Sequence, residues 1–289
     1  MKKLLLLVAA AAFIFVGCSD DGGTTPDGGG SAKAPTTYTQ KALLEYFSGA
    51  WCPYCPDGKV YFEKIEADHP NGLFTSVVYH FNDQMDNVYD DAIDKKYQKG
   101  YPTGMVSRVG GTASSRSTWA GTANDVLAQK AKCGLAIDAT SKSGDELNLK
   151  IKLGVGAEAL PAGNYFITVL LVEDEMNGTG TGWNQANGYN ATSGHPYQGK
   201  GNPIIGYNHT NVNRAVLTAA LGDELTAEQV AAGALSEFSY SFNVKGMGED
   251  LDVVAFIYET TSNLANPALS SSYMYNVQRT KVGTNKDFD

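Results

Sequence analysis

Apolar and polar residues alternate with a period of two through much of the second half of the chain. Leu147-Asn-Leu-Lys-Ile-Lys-Leu153 and Phe238-Ser-Tyr-Ser-Phe-Asn-Val244 each put apolar side chains on one face, which predicts strands. Tyr165 to Val172 and Leu251 to Tyr258 are β-branched, aromatic and nearly fully apolar, and also read as strands. Leu135 to Ala139, Asn213 to Leu217 and Ser272 to Val277 are weaker ones. Turn residues separate them at Ser143-Gly144-Asp145, Pro161-Ala162-Gly163 and Lys245-Gly246-Met247-Gly248. About seven strands over residues 134–289 predict an all-β antiparallel sandwich, immunoglobulin-like in outline. Thr226-Ala-Glu-Gln229 has the form of a capping box and predicts a short helix through Ala232.

The first half has a different rhythm. Leu43 to Phe47 reads as a buried strand, broken by Ser48-Gly49-Ala50. A helix is expected next, with Pro53 near its first turn, where a missing N–H costs little. Val60, Tyr61 and Ile65 carry a helical period that ends by His69-Pro70-Asn71-Gly72. Leu73 to Tyr79 reads as a strand, Asp86 to Gln98 as a helix, and another strand should follow Tyr101-Pro102-Thr103. Ser117 to Lys132 closes the region as a helix, with Trp119, Val126, Leu127 and Ala131 as its candidate buried face. Residues 37–133 therefore read as an α/β domain, with a boundary near Cys133–Gly134.

The chain has four cysteines: Cys18, Cys52, Cys55 and Cys133. Cys52 and Cys55 are close enough to pair; one close pair with leftover thiols is not a disulfide framework. Three readings of the pair stand: a redox centre, a structural disulfide and half of a zinc site. Zinc would need two more ligands, and His69, His80, His195 and His209 are scattered, so no metal site is expected. A Cys at a helix N-terminus has its thiolate stabilised by the helix dipole and free N–H groups. Cys52 is then the candidate nucleophile, more exposed and more acidic, and Cys55 the shielded resolving thiol. Cys133 reads as a small buried hydrophobe.

Trp51-Cys52-Pro53-Tyr54-Cys55 resembles the active site of the thioredoxin fold, with a Pro-Tyr pair like that of glutaredoxins. Tyr101-Pro102-Thr103 resembles the cis-proline loop that faces the Cys pair in that superfamily. The resemblance implies a substrate groove shaped by Trp51, Tyr54, Tyr101 and Pro102. One departure stands out: thioredoxins carry a buried Asp six residues before the first Cys. Here that position is Tyr46, and Glu45 lies on the opposite strand face.

Lys2 and Lys3 precede the apolar run Leu4 to Val16, which ends at Gly17-Cys18. A charged start and a short apolar run read as a secretory signal over residues 1–17. The small residue before Cys18 resembles a lipobox, which implies lipid attachment at Cys18; Phe15 departs from the usual Leu. Residues 18–36, glycine-rich and without periodicity, read as a flexible tether with a reach of roughly 24 Å. Asp20 and Asp21 resemble the tag that sends some Gram-negative lipoproteins to the cell surface. Tyr207-Asn-His-Thr-Asn-Val-Asn-Arg214, Leu44 to Cys52 and Tyr101-Pro102-Thr103 together resemble the outer-membrane-protein-twenty-eight-related family of Gram-negative lipoproteins. That resemblance implies an outer-membrane location and leaves the biochemical role open.

Composition adds limits. Glycine (32 of 289 residues), 16 Tyr and 11 Phe favour turns and aromatic strands over helical bundles. Without the two lysines of residues 1–17 the net charge goes from −9 to −11, which makes nucleic acid an unfit partner. No phosphate loop, dinucleotide fingerprint or H-E-x-x-H motif is present, so no cofactor is expected. Two functions are carried forward: a membrane-tethered thiol-disulfide oxidoreductase acting on protein thiols or disulfides, and a surface binding or adhesion lipoprotein with a structural Cys pair. Asn177 to Pro203, rich in Gly, Asn and Tyr, is a long loop suited to contacts or mere decoration. Asp83, Asp86, Asp90, Asp91 and Asp94 read as a solvated helix face, with cation binding as the alternative.

Overall fold

A computed structural model describes residues 33–261 and 271–289. The readings of a signal, of Cys18 and of most of the tether fall on residues 1–32, outside the described residues. The described elements are β1 (Ala42–Ser48), α1 (Cys55–Asp68), β2 (Phe74–His80), α2 (Asp91–Tyr97), β3 (Thr103–Val106), α3 (Trp119–Leu127), β4 (Cys133–Ser143), β5 (Glu146–Val155), β6 (Asn164–Glu173), β7 (Val212–Val216), β8 (Asp223–Glu224), β9 (Leu235–Asn243), β10 (Leu251–Thr261), β11 (Ser271–Lys281) and β12 (Asn285–Lys286). The result is a mixed α/β fold, mostly sheet. The strands of the second half coincide with the alternating and apolar runs of the sequence.

Three helical expectations need correction. α2 starts at Asp91, five residues later than expected, because the Asn87 side chain caps the Tyr89 N–H (3.0 Å) in a turn. α3 ends at Leu127 rather than Lys132, since the chain turns there to enter β4. The capping box forms without its helix. Gln229 Oε1 accepts from the Thr226 N–H (2.8 Å), but Gly233, in a left-handed conformation (φ +69°), ends the turn at once.

The strands make two sheets. The larger runs β11-β10-β6-β7-β2-β1-β3, with β8 beside β6; the smaller runs β12-β4-β5-β9. The boundary expected at Cys133–Gly134 does not separate two sheets. β2 joins β7 through the parallel pair Val78–Val212, and the Val78 N–H donates to the Asn211 carbonyl (2.7 Å). Residues Lys33–Asp289 accordingly form one compact unit.

A sandwich is nonetheless present between the smaller sheet and the β6–β10 part of the larger one. Leu147, Leu149, Ile151 and Leu153 of β5 pack there with Ile167, Val169, Val253 and Ala255. β6 and β10 are buried on both faces. Leu170, Val172, Val254 and Phe256 point the other way, into a core shared with Leu43, Phe47 and Val77. That double burial is why these two segments are apolar throughout rather than alternating. A third core, under α1 and α3, holds Leu44, Tyr46, Phe62, Ile65 and Trp119 together with Cys52 and Cys55.

Candidate functional site

β1 pairs parallel with β2 and antiparallel with β3, and so is the middle strand of its half of the sheet. After Ser48 the chain turns over the sheet edge, and the Cys52 N–H donates to the Gly49 carbonyl (2.9 Å). Cys52 and Cys55 are joined by a disulfide with Cα atoms 5.4 Å apart. α1 begins at Cys55, with Pro56 in its first turn, so Cys52 lies three residues before the helix rather than on its first turn. Both cysteines are equally buried, at 2% exposure, because β1, α1 and the later loop all close over them. The expectation of an exposed Cys52 beside a shielded Cys55 therefore does not hold for the disulfide form.

The flanking aromatics are exposed: Trp51 at 45% and Tyr54 at 55%. The Trp51 indole N–H donates to the Phe81 carbonyl (2.7 Å), and its ring meets Tyr101 edge-on with centroids 5.1 Å apart. The Tyr101–Pro102 peptide is cis and leads directly into β3. Trp51 and Tyr101 are thus in contact. Tyr54 instead meets Tyr189 of the long loop at 5.9 Å.

Beneath the pair, the Tyr46 hydroxyl donates to the Cys55 carbonyl (2.8 Å). Burial pushes the Tyr46 phenol well up, so it stays protonated. Glu45 is not solvent-exposed. It is fully buried on the opposite face, bridged at both oxygens by Arg108 (2.7 and 2.8 Å), with the Tyr79 hydroxyl donating as well (3.1 Å).

Sequence reasoning did not identify the groups behind Cys55. His80 Nδ1 pairs with Asp83 (2.7 Å), which also accepts from the Ala50 N–H (2.7 Å) and the Met85 N–H (2.8 Å). Burial would raise the Asp83 carboxyl, but His80 and the two backbone N–H groups hold it below the usual carboxylate range. The His209 ring lies 5.1 Å from that of His80; burial and the neighbouring ring push His209 down to about 3, so it is neutral. A pocket of about 20 Å³ opens there, lined by Cys55, Tyr46, Ser48, Lys59, His80 and Thr210 among others. Burial also lowers Lys59, whose ammonium donates to the Asn208 carbonyl (2.8 Å).

The loop over Asn177 to Pro203 folds onto the motif. The Gln185 amide donates to the carbonyls of Cys52 (2.9 Å) and Gly49 (3.3 Å). The Ala186 N–H donates to the Ala50 carbonyl and the Gly188 N–H to that of Pro53, both at 2.7 Å. Its rings pack inward: Tyr189 stacks on His195 with centroids 4.0 Å apart, and His195 bonds to Asp57 (3.0 Å), which also pairs with Arg116. The loop's length was its one visible signal. The five aspartates are not one solvated face either. Asp90 is buried and accepts from the Asn213 amide (2.6 Å), the carboxylate of Asp83 is enclosed at 0% side-chain exposure, and no metal-binding group of His, Cys, Asp or Glu occurs among the described residues.

HBP35 of Porphyromonas gingivalis is similar in structure, with a TM-score of 0.64 at 19% identity, over 85% of this chain and 76% of that one. At that identity the likeness shows a shared fold. A domain of the outer membrane lipoprotein Omp28 from Porphyromonas gingivalis aligns over 53% of this chain and 88% of that one, at 16% identity and a TM-score of 0.30. No curated protein matches the sequence. The model of the family "Outer membrane protein Omp28" matches residues 88–286, more than half of the chain. The strands from β3 onward, the long loop and the covering of the Cys pair all lie within that match, and the chain belongs to the Omp28 family of outer membrane proteins.

Proposed function

We propose that this outer-membrane protein is a lipid-anchored thiol-disulfide oxidoreductase whose redox group is the Cys52–Cys55 pair. The observation that carries this reading is a combination at one corner of the fold. A Cys-x-x-Cys disulfide follows the central strand of β2-β1-β3 and opens α1, beside a cis Tyr101–Pro102 peptide. This combination supports the thioredoxin-like reading of the site. Trp51 and Tyr54 give it an exposed aromatic margin suited to an extended protein strand. Anchoring rests on Lys2, Lys3, the apolar run and Gly17-Cys18; Asp20 and Asp21 support export to the cell surface. The reduced pair would attack a substrate disulfide through Cys52, and Cys55 would resolve the mixed disulfide.

One observation favours the second reading, a binding lipoprotein with a structural disulfide: both cysteines are buried and the loop around Gln185 covers them. The reduction potential separates the two. A value near or above ~−270 mV fits exchange, whereas one below ~−300 mV fits a structural bond. Trapping tests the same point. Cys55→Ser should hold mixed disulfides through Cys52, and Cys52→Ser should hold almost none. Cys18→Ser should release the protein from membranes; unchanged fractionation would overturn a sole lipid anchor.

A further inference from the structure

We propose that the pocket behind Cys55 binds one water molecule and that His80, oriented by Asp83, takes the proton of the Cys55 thiol through it. This rests on the exchange reading and names a proton-relay residue for it. A water requires roughly 10–15 Å³ and two to four polar partners. The pocket has about 20 Å³, and Cys55, His80, Ser48, Lys59 and Thr210 line it. The Thr210 hydroxyl is buried with no protein partner among the described residues, which a water in this pocket would satisfy.

Elimination among the titratable groups around the pocket leaves His80. Tyr46 and Tyr207 have their phenols pushed up by burial and remain donors. Lys59, lowered by burial, is engaged as a donor to the Asn208 carbonyl and lies 3.7 Å from the Glu63 carboxylate, which opposes that lowering. His209, held down near 3, is too weak a base. Glu45 is bound to Arg108 on the far side of β1. His80 gives Nδ1 to Asp83 at 2.7 Å, while Nε2 has no protein partner among the described residues. An imidazole held in this way has one nitrogen fixed as donor and the other free to accept.

The step balances as follows. The Cys52 thiolate attacks a substrate disulfide, forming a mixed disulfide and expelling one substrate thiolate. The Cys55 S–H passes its proton through the water to His80 Nε2, and the Cys55 sulfur attacks Cys52 Sγ. The bond from Cys52 to the substrate breaks, and the second substrate sulfur leaves with the electron pair. The two cysteines are oxidised to a disulfide, and the substrate disulfide is reduced to two thiolates, which take their protons from solvent while His80 returns its own there.

The test uses the reduced full chain and Ellman's reagent, an aromatic disulfide, in stopped flow. Attack by Cys52 releases the first aromatic thiolate and resolution by Cys55 the second; Cys55→Ser, left with the first release alone, identifies the phases. His80→Asn keeps a donor for Asp83 and removes the acceptor. It should leave the first phase unchanged and slow the second by about 10²-fold at neutral pH, the low end of general-base assistance. Its second phase should then rise with pH toward the free-thiol value of ~8.5, a dependence steeper than that of the wild type. Thr210→Val, which removes a partner of the water, should slow the second phase alone, and it decides the matter if His80→Asn fails to fold. A second phase of unchanged rate and pH profile in these variants overturns the relay and leaves exchange standing. Absence of any second release from the wild type overturns exchange itself.

Discussion

The Tyr46 hydroxyl donates to the carbonyl of Cys55 from directly beneath the first turn of α1. It fixes the height of that helix above β1, and no side chain can come between them. Gly58 sits one turn along, where an added Cβ would lie on the Tyr46 hydroxyl.

The first prediction follows from that contact. Gly→Ala inside a helix ordinarily stabilises by about 1 kcal/mol. Gly58→Ala should do the opposite, destabilising by about 1–3 kcal/mol, because overpacking displaces Tyr46. Urea denaturation of the oxidised protein measures the sign. A stabilised Gly58→Ala would show that Tyr46 does not hold α1 as described.

A second prediction concerns Glu45 and Arg108. Their ion pair is fully buried, and the guanidinium lies over the Tyr258 ring, 4.1 Å from its centroid. β1 and β10 are thereby tied through one side chain. Removing one partner should cost about 3–5 kcal/mol, since it leaves an uncompensated buried charge. Glu45→Leu with Arg108→Met should cost less than either Glu45→Leu or Arg108→Met alone. Additive losses in thermal unfolding would contradict the pairing.

The strands could be read locally because burial on one face or two writes itself into the side-chain period. Leu147 to Leu153 alternates and Tyr165 to Val172 does not, and β5 and β6 differ in that respect. The strand–Cys-x-x-Cys–helix unit and the loop before Thr103 were legible for the same local reason. What escaped depends on partners far away in the chain. Gln185 meets Cys52 across 133 positions, and Val78 meets Val212 to continue one sheet past the expected boundary. Periodicity carries no trace of such pairings. Asp83 looked like part of an acidic surface because its partners, His80 and two backbone N–H groups, have no composition signal.

The third prediction is a pH dependence. His209 has its pKa lowered from 6.5 to about 3, first by burial and then by His80. The unfolded chain therefore binds more protons than the folded one between those values. Stability from this group is fully present above pH 6.5 and is lost as the pH falls toward 3. Asp83 adds loss only below the ordinary carboxylate range, since its own pKa is depressed. Asp90, raised by burial, works in the opposite sense. The difference between wild type and His209→Gln isolates the imidazole. The variant should be closer to wild type in stability at pH 5 than at pH 7, by urea denaturation. A gap that stays constant with pH would mean that His209 binds its proton equally in the folded and unfolded states, and so is not held down by burial.

Cys133 supplies the fourth. It is fully buried in the sandwich core, and burial pushes its thiol up to about 12. A neutral, shielded thiol is not a nucleophile. Alkylation of the native oxidised protein followed by peptide mapping should leave Cys133 unmodified, and the same reagent in denaturant should label it. Labelling in the native state would place it in reach of solvent and of exchange with Cys52.

The last prediction turns on the covering loop. The Gln185 amide reaches two buried carbonyls, and the adjacent Ala186 and Gly188 N–H groups bond to Ala50 and Pro53. Gln185→Ala leaves those carbonyls with one donor fewer, which costs about 1–3 kcal/mol for buried groups. The two backbone bonds remain, so the loss should appear as local opening rather than global unfolding. Hydrogen exchange at Ala186 and Gly188 should quicken, while exchange in β6 and β10 stays as in the wild type. Reduction of the Cys52–Cys55 disulfide by a small dithiol should speed up in parallel, because the loop is what bars attack on either sulfur. Gln185→Glu sharpens the point: a carboxylate cannot donate to the two carbonyls and repels them, so opening should exceed that of the alanine variant. Faster exchange without faster reduction would mean that the bar lies elsewhere, in the packing of Trp51 against Tyr101.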